Sequence, residues 1–301
     1  MNKPSFILVV VDRTHDASES IGKAVTLARQ SGARIELFLC ASEEAWELAH
    51  AYGREGIDES RAAITSQARA YLAELKASAN APDIDITLDA GCESPMYEGI
   101  VRKVLRSGPD LVIKGAVGAK YRNRTLDPND WQLARTCPVT LMLSRGRAWR
   151  YPPCFAAAVD ASAQESGSLP QDVINVARTL ASAAQARLEV LYGESGSSRE
   201  FLPLRMERLR SLCEAGGITS DRMHVLYGAP EQTLLPFAGA QGYDALILGA
   251  LTHHLADSLP LGTLTSRLLD ALDCDFILVK PSGYRSPVEV RPRVGPYRGV
   301  G

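Results

Sequence analysis

The stretch GPDLVIKGAVG, residues 108–118, returns as GYDALILGALT at residues 242–252. Both copies have a glycine, an aspartate two positions later, a short apolar run and a second glycine. This pattern is typical of a turn followed by a buried strand that ends at a glycine. Because the same unit occurs twice, an internal duplication is the first hypothesis to test along the chain.

Three further pairs of similar segments keep the same order. They are FILVVVD (6–12) with FAAAVD (155–160), ARIELFLC (33–40) with ARLEVLYG (186–193), and CPVTLMLSR (137–145) with CDFILVKPS (274–282). Chance similarity seldom preserves order. The sequence therefore predicts two similar domains, at residues 1–146 and 152–284, followed by a disordered tail at 285–301 that is rich in Pro, Gly and Arg.

Within each half, short apolar runs alternate with helical patterns. The apolar residues Ile21, Ala24, Val25 and Ala28 are spaced as one face of a helix. The strand runs show little alternation between apolar and polar residues, as expected when helices cover both faces of a sheet. In the first half these runs lie near residues 5–11, 34–40, 84–90, 110–115 and 138–143. The pattern predicts an α/β fold with two tandem doubly wound, parallel, five-stranded sheets.

The composition argues against several classes of protein. The 301 residues are 46% apolar and 23% charged with a formal net charge of -2, which gives no electrostatic footprint for nucleic acid or an anionic membrane. The first apolar run is too short for a signal peptide, and no run approaches the roughly 18 residues of a membrane span. We expect a cytoplasmic protein. Its six cysteines form no C-x-x-C pair and are predicted to be buried small hydrophobic residues.

In an open parallel sheet, ligands bind at the carboxyl ends of the strands. Asp12 and Asp160 end the first strand of each half, and the loops after Gly115 and Gly249 leave the fourth. A functional site is therefore expected near these four residues.

The loop of the second half has Gly249, two residues, Thr252, nine residues, and then Gly262 and Thr263. A glycine at the strand end allows a ligand to approach the backbone, and the start of the next helix carries a partial positive charge that favours phosphate. Two interpretations fit the loop: a phosphate cradle that works with Asp160, or an ordinary helix start in which Thr263 is the N-cap.

The same loop contains His253 and His254, with Asp257 nearby, which raises the possibility of a metal site. Adjacent side chains project in different directions, and no third ligand stands at a helical or hairpin spacing. The sequence therefore favours two solvent-facing histidines and no metal site.

The loop of the first half departs further from a phosphate site. Gly115 and Gly118 keep the glycine spacing, but Pro128 and Asn129 stand where the second half has glycine and threonine. Asp127 is predicted to start the helix, and together with Asp130 it would repel a triphosphate. Within the basic loop, Lys120, Arg122 and Arg124 are either anion contacts or solvated residues.

Catalytic motifs are absent from the sequence. It has no Walker-type lysine motif, no G-x-G-x-x-G and no G-x-S-x-G elbow. The serine-rich stretch GESGSSRE, residues 193–200, lacks the elbow spacing and is interpreted as a flexible loop. An enzymatic role is uncertain, and slow hydrolysis of ATP is the most that we expect.

Several segments together resemble the universal stress protein family, a Rossmann-like fold of the HUP class. They are VVVD at the end of the first strand, DALILG (244–249), the G-x-P turn of LYGAPEQTLLPFA (226–238) and the glycine loop. Nucleotide-binding members of that family carry G-x2-G-x9-G-(S/T) after the fourth strand. The second half has the same pattern except for Thr252 in place of the second glycine.

The resemblance has implications for ligand and assembly. It implies ATP, with Mg, bound through Asp160 at the adenosine end and through Gly249, Thr252, Gly262 and Thr263 around the phosphates. It also implies a homodimer through the last strand of a domain, or an equivalent pairing of the two halves within one chain. The segments DPNDWQLARTCP and CDFILVKPSGYRSPVEV resemble more narrowly the tandem, E-type members.

Two functional hypotheses follow. The first is a nucleotide-responsive stress regulatory module with its better site in the second half. The alternative is an interaction scaffold that binds a protein or an apolar small molecule without nucleotide.

Overall fold

The computed structural model describes residues 3–13, 16–41, 57–116, 126–161, 168–194, 202–250 and 263–290. The first domain contains β1 (Phe6–Val11), α1 (Ser18–Ser31), β2 (Arg34–Cys40), α2 (Ile57–Ala79), β3 (Ile86–Gly91), α3 (Met96–Ser107), β4 (Leu111–Gly115), α4 (Pro128–Thr136) and β5 (Thr140–Ser144). The second contains β6 (Cys154–Ala158), α5 (Leu169–Ala184), β7 (Arg187–Glu194), α6 (Leu202–Ala215), a 3-10 turn (Ser220–Arg222), β8 (Met223–Tyr227), α7 (Pro230–Gln241), β9 (Ala245–Gly249), α8 (Thr263–Ala271) and β10 (Asp275–Val279).

The strands form one sheet of ten in the order β3-β2-β1-β4-β5-β10-β9-β6-β7-β8. Within each domain all neighbouring strands are parallel, as the sequence predicts. The two predicted five-stranded sheets are not separate, however. Strand β10 pairs antiparallel with β5, with Ile277 opposite Met142. This pairing gives each last strand a partner and removes two exposed sheet edges from the molecule.

Two layers of helices cover the sheet, one on each face. The face that includes Ile7, Val9 and Val11 packs against α1, α2, α5 and α6. The opposite face, which includes Leu8 and Val10, packs against α3, α4, α7 and α8. Because helices bury both faces of the sheet, the strand sequences show little alternation between apolar and polar residues.

The repeated motif at residues 108–118 and 242–252 has the same structural role in both domains. Gly108 and Gly242 end α3 and α7 with φ of 62° and 60°, a left-handed conformation that glycine adopts without strain. The carboxylate of Asp110 accepts hydrogen bonds from the backbone of Ser5 and Phe6. Asp244 accepts one from the backbone of Cys154. The motif thus fastens the start of the fourth strand to the start of the first.

The end of the chain differs from the predicted tail. Residues 285–290 do not leave the body: Val288 packs against the core, and the carbonyl of Glu289 accepts a hydrogen bond from Arg102 Nε at 3.3 Å. Val288 and Glu289, within the first six residues of the predicted tail, therefore contact the body of the protein. Residues 291–301 are outside the described part of the chain.

Five of the six cysteines are buried, in agreement with the prediction, and Cys92 is half-buried. Among the described residues, no helix combines the length and the apolar character needed to span a bilayer.

Candidate functional site

The fold brings the expected residues to one edge of the sheet in each domain. Strand β1 lies between β2 and β4. The connection from β1 leads to β2 on one side, whereas the connection from β4 leads to β5 on the other, so a crevice opens between their carboxyl ends. Asp12 follows β1, and Gly115 ends β4. In the second domain, Asp160 lies two residues after β6, and Gly249 ends β9.

In the first domain this position holds a buried ion pair. Lys114, the penultimate residue of β4, places its Nζ 2.7 Å from Asp130 Oδ1 and 3.5 Å from Asp12 Oδ2. Lys114 is 2% exposed and Asp130 is fully buried. Burial disfavours the charged lysine, but the charges of Asp130 and Asp12 outweigh that effect and raise the pKa of Lys114. An internal cation is therefore already paired with two carboxylates at this edge.

The start of α4 is satisfied by its own side chains. The carboxylate of Asp127 accepts a hydrogen bond from the backbone N–H of Asn129 at 2.8 Å, and Pro128 occupies the first turn. Asp127 is therefore the N-cap, as predicted. Asp130 differs from the expectation: its carboxylate faces Lys114 inside the protein and is not directed at a solvent-exposed phosphate position.

The second domain has neither the ion pair nor the acidic helix start. Counted from the first residue of each strand, Lys114 corresponds to Leu248. Counted from the first residue of each helix, Asp130 corresponds to Thr265, one position further along α8 than the loop spacing of the sequence gives. Both Leu248 and Thr265 are buried. Helix α8 begins at Thr263 and has no acidic residue in its first turn. The partial positive charge of this helix start is thus not balanced by a carboxylate of its own first turn.

Asp160 is exposed and lies beside a group of polar residues that sequence reasoning missed. The hydroxyl of Tyr192 donates to Glu194 Oε2 at 2.7 Å, and Arg205 on α6 donates to both oxygens of Glu194. Burial, together with Glu194, raises the pKa of Tyr192, and the charge of Asp160 adds to the effect. Gly193 and Glu194 belong to β7, so the flexible-loop interpretation of residues 193–200 is wrong for these two residues.

The missing side chain at Gly249 has a packing reason. A Cβ placed there would lie 2.9 Å from Leu169 Cδ2 and 3.2 Å from Leu169 Cγ, at the start of α5. Such distances are shorter than a van der Waals contact between carbon atoms. A side chain at position 249 would therefore require Leu169 to move, so packing gives one reason for a glycine here whether or not a ligand is bound.

The comparison with known proteins agrees with this architecture. The sequence profile of the universal stress protein family matches residues 6–145. Over 94% of its length the chain is 23% identical to universal stress protein E of Photorhabdus laumondii, 97% of which is covered. The first half of the chain, residues 6–145, therefore has the profile of a universal stress protein domain. The similarity to the E-type relative extends over both halves of the chain.

Solved structures show the same fold over most of the chain. A protein of unknown function from Pseudomonas aeruginosa PAO1 superposes with a TM-score of 0.72 at 18% identity, covering 92% of this chain and 93% of that one. A universal stress protein from Archaeoglobus fulgidus gives 0.69 at 14% identity, with 92% and 98% covered. Identities this low show that the fold is shared and nothing finer.

Part of the family's loop pattern falls outside the described residues. In the second domain Thr252 and Gly262 of the pattern lie there, together with His253, His254 and Asp257 between them. In the first they are Gly118, Lys120, Arg122 and Arg124. The structure thus brings Asp160, Gly249 and the start of α8 at Thr263 to the carboxyl edge of one domain, while the predictions for the intervening loop stay predictions.

Proposed function

We propose that this chain is a tandem universal stress protein and acts as a nucleotide-responsive regulatory module that binds one ATP, with Mg, in its second domain. The proposal rests on a difference between the equivalent helices α4 and α8. Helix α4 begins with Asp127 as its N-cap and Asp130 in its first turn, whereas α8 has no acidic residue there. A phosphate at the start of α8 would supply the negative charge that α4 obtains from its own side chains.

The proposed ligand contacts follow from the positions around the crevice. Asp160, exposed at the end of the first strand, would accept hydrogen bonds from the ribose at the adenosine end. Gly249, Thr252, Gly262 and Thr263 would surround the phosphates. The residues present fit an anion, since no lysine–aspartate pair occupies the positions of Leu248 and Thr265.

The first domain is not proposed as a second ATP site. Lys114 fills the equivalent region and is already neutralised by Asp130 and Asp12. A triphosphate would have to compete with both carboxylates for this lysine and approach Asp127 at the helix start. A stoichiometry of one nucleotide per chain follows from the proposal.

A second candidate function is an interaction scaffold that uses no nucleotide and binds a protein or an apolar small molecule. The contact between Gly249 and Leu169 favours it, because it explains the strand-end glycine without a ligand. Thr252 favours it as well, since its side chain adds bulk where the family's nucleotide binders have glycine.

Thermal unfolding with and without ATP and Mg separates the two functions. Ligand at about 100 times its dissociation constant stabilises the native state by roughly 2.7 kcal/mol. For a chain of 301 residues that unfolds as one unit, that corresponds to a rise in Tm of about 4 °C. With 1 mM nucleotide, we expect this shift in the wild type and its loss in Asp160→Ala and Gly262→Val.

Asp12→Ala is the matched control, because Asp12 is the counterpart of Asp160 in the first domain. It should keep the full shift with ATP. A wild type whose Tm does not move would exclude binding tighter than about 10 μM and leave the scaffold function. A shift lost equally in Asp12→Ala and Asp160→Ala would contradict the assignment to the second domain.

A further inference from the structure

Two buried cationic side chains each contact the domain to which they do not belong. Arg145, which follows β5, is 7% exposed, and its guanidinium donates to the carbonyl of Leu269 in the last turn of α8. Lys280, which follows β10, is 9% exposed, and its Nζ donates to the carbonyl of Ala134 in the last turn of α4. Each domain therefore supplies a cation to a helix of the other.

The two contacts are related by the pairing of β5 with β10. Met142 lies opposite Ile277 at the centre of this antiparallel pair. Arg145 and Lys280 each stand three residues beyond that centre, so they occupy equivalent positions. The helices they reach, α8 and α4, are also equivalent, since each follows the fourth strand of its domain.

These contacts stabilise the carboxyl ends of short helices. The last four carbonyls of a helix have no partner within it, and a cation there is also favoured by the helix dipole. Helix α8 has only nine residues and is about 13 Å long, so most of its backbone lies within one or two turns of an end. Disorder at its last turn would therefore reach its first turn as well.

The backbone of Arg145 is held in place by the second domain. Its backbone N–H donates to Asp275 Oδ1 at 2.8 Å. The same carboxylate accepts hydrogen bonds from Lys23 Nζ at 2.9 Å and from Trp149 Nε1 at 2.6 Å. The backbone of Arg145 is thus fixed at the contact between the two domains, and its guanidinium reaches α8.

We propose that Arg145 is a positioning residue for the nucleotide site of the second domain. It belongs to the first domain and holds the carboxyl end of α8, the helix whose start receives the phosphates; this last point rests on the proposed function. The order of α8 and the binding of nucleotide at its first turn are then coupled. By reciprocity, nucleotide binding tightens the contact between α8 and the first domain. Occupancy of one domain is in this way transmitted to the other.

Hydrogen exchange of the nucleotide-free protein tests the positioning role. In Arg145→Met, amides of α8 should exchange about 10- to 100-fold faster than in the wild type, while those of α4 keep their rates. Lys280→Met is the matched control and should accelerate α4 and leave α8 unchanged. Arg145→Lys should restore most of the protection, because lysine has the same role at position 280. If Arg145→Met does not fold, Arg145→Gln replaces it with the same expectation.

Titration with ATP and Mg tests the coupling. Arg145→Met should bind nucleotide at least about 10-fold more weakly than the wild type, and Lys280→Met should stay within about 2-fold. Unchanged exchange of α8 in Arg145→Met, or equal acceleration of both helices in both variants, overturns the positioning role. A wild type that binds no nucleotide instead overturns the proposed function. If the wild type binds and Arg145→Met binds equally well, the coupling is wrong.

Discussion

At the scale of single residues, the two domains differ at the pair formed by Lys114 and Asp130. Their counterparts in the second domain are Leu248 and Thr265, so an ion pair in one domain corresponds to uncharged side chains in the other. A buried ion pair contributes little net stability over an uncharged pair that packs well, but one buried charge without its partner is costly. The difference is therefore compatible with the same fold in both domains.

Replacing Lys114 alone should destabilise the protein strongly. In Lys114→Leu the fully buried Asp130 loses its cation, and the expected loss is about 3–5 kcal/mol in the free energy of unfolding. The double variant Lys114→Leu with Asp130→Thr carries the residues of the second domain and should recover most of that loss. Urea unfolding of the three proteins measures the effect. Equal stability of the single variant and the wild type would show that the pair is unimportant.

The sequence showed only part of this site. Asp127 was predictable as an N-cap because a cap depends on residues two or three positions away. The role of Lys114 was not, since a lysine near the end of a strand does not indicate which helix lies over it. The polar group of Tyr192, Glu194 and Arg205 was missed for a similar reason: its members come from a strand and from the helix that follows it.

At the scale of elements, α4 and α8 are equivalent helices with different charges at their ends. Helix α4 has carboxylates at its start and Lys280 at its end, whereas α8 has Arg145 at its end and no acidic residue in its first turn. The charge that α8 lacks is the one that a bound phosphate would provide. Equivalent elements of a duplicated fold can in this way have different functions without a change in the backbone path.

The capping of α4 by Lys280 should make stability depend on pH. Burial lowers the pKa of Lys280 from its ordinary 10.5 to about 8. Below pH 8 the lysine is charged in both the folded and the unfolded chain. Between pH 8 and 10.5 the folded protein holds the proton less tightly than the unfolded chain, so stability rises with pH in this window.

The comparison of wild type with Lys280→Met isolates this effect from groups far from Lys280, because those groups titrate alike in both proteins. Relative to the variant, the wild type should gain on the order of 3 kcal/mol in the free energy of unfolding between pH 7 and 10.5. Cys137 beside Lys280 has its pKa raised to about 11 by burial and stays largely protonated over this range. Urea unfolding at several pH values measures the difference. A difference that does not change with pH would contradict the lowered pKa.

At the scale of the whole molecule, the two domains form one body through the β5–β10 pair and a buried carboxylate beside it. Asp275, at the start of β10, is 2% exposed and accepts hydrogen bonds from Lys23, Trp149 and the backbone of Arg145. Lys23 is itself 3% exposed. The family resemblance implied pairing through the last strand of a domain, and within this chain the two halves pair in that manner.

Removing the carboxylate of Asp275 should destabilise the contact between the two domains. Asp275→Ala leaves Lys23 buried without its counter-charge, and we expect a loss of about 3–5 kcal/mol in the free energy of unfolding. Lys23→Met combined with Asp275→Leu removes both charges and should be considerably more stable than the single variant. Urea unfolding followed by tryptophan fluorescence and by circular dichroism tests this. If Asp275→Ala is as stable as the wild type, the contact between the domains does not depend on this carboxylate.

The sequence by itself determined the duplication, the alternation of strands and helices, the parallel order within each domain and the capped start of α4. These features depend on periodicity and on neighbours a few residues apart, and such information is local. The joining of two sheets into one, the Lys114–Asp130 pair and the contacts of Arg145, Lys280 and Asp275 were decided by the tertiary structure. Lys23 and Asp275 are 252 residues apart. A side chain in a sequence carries no mark of so distant a partner, and only packing of the two domains brings the charges together.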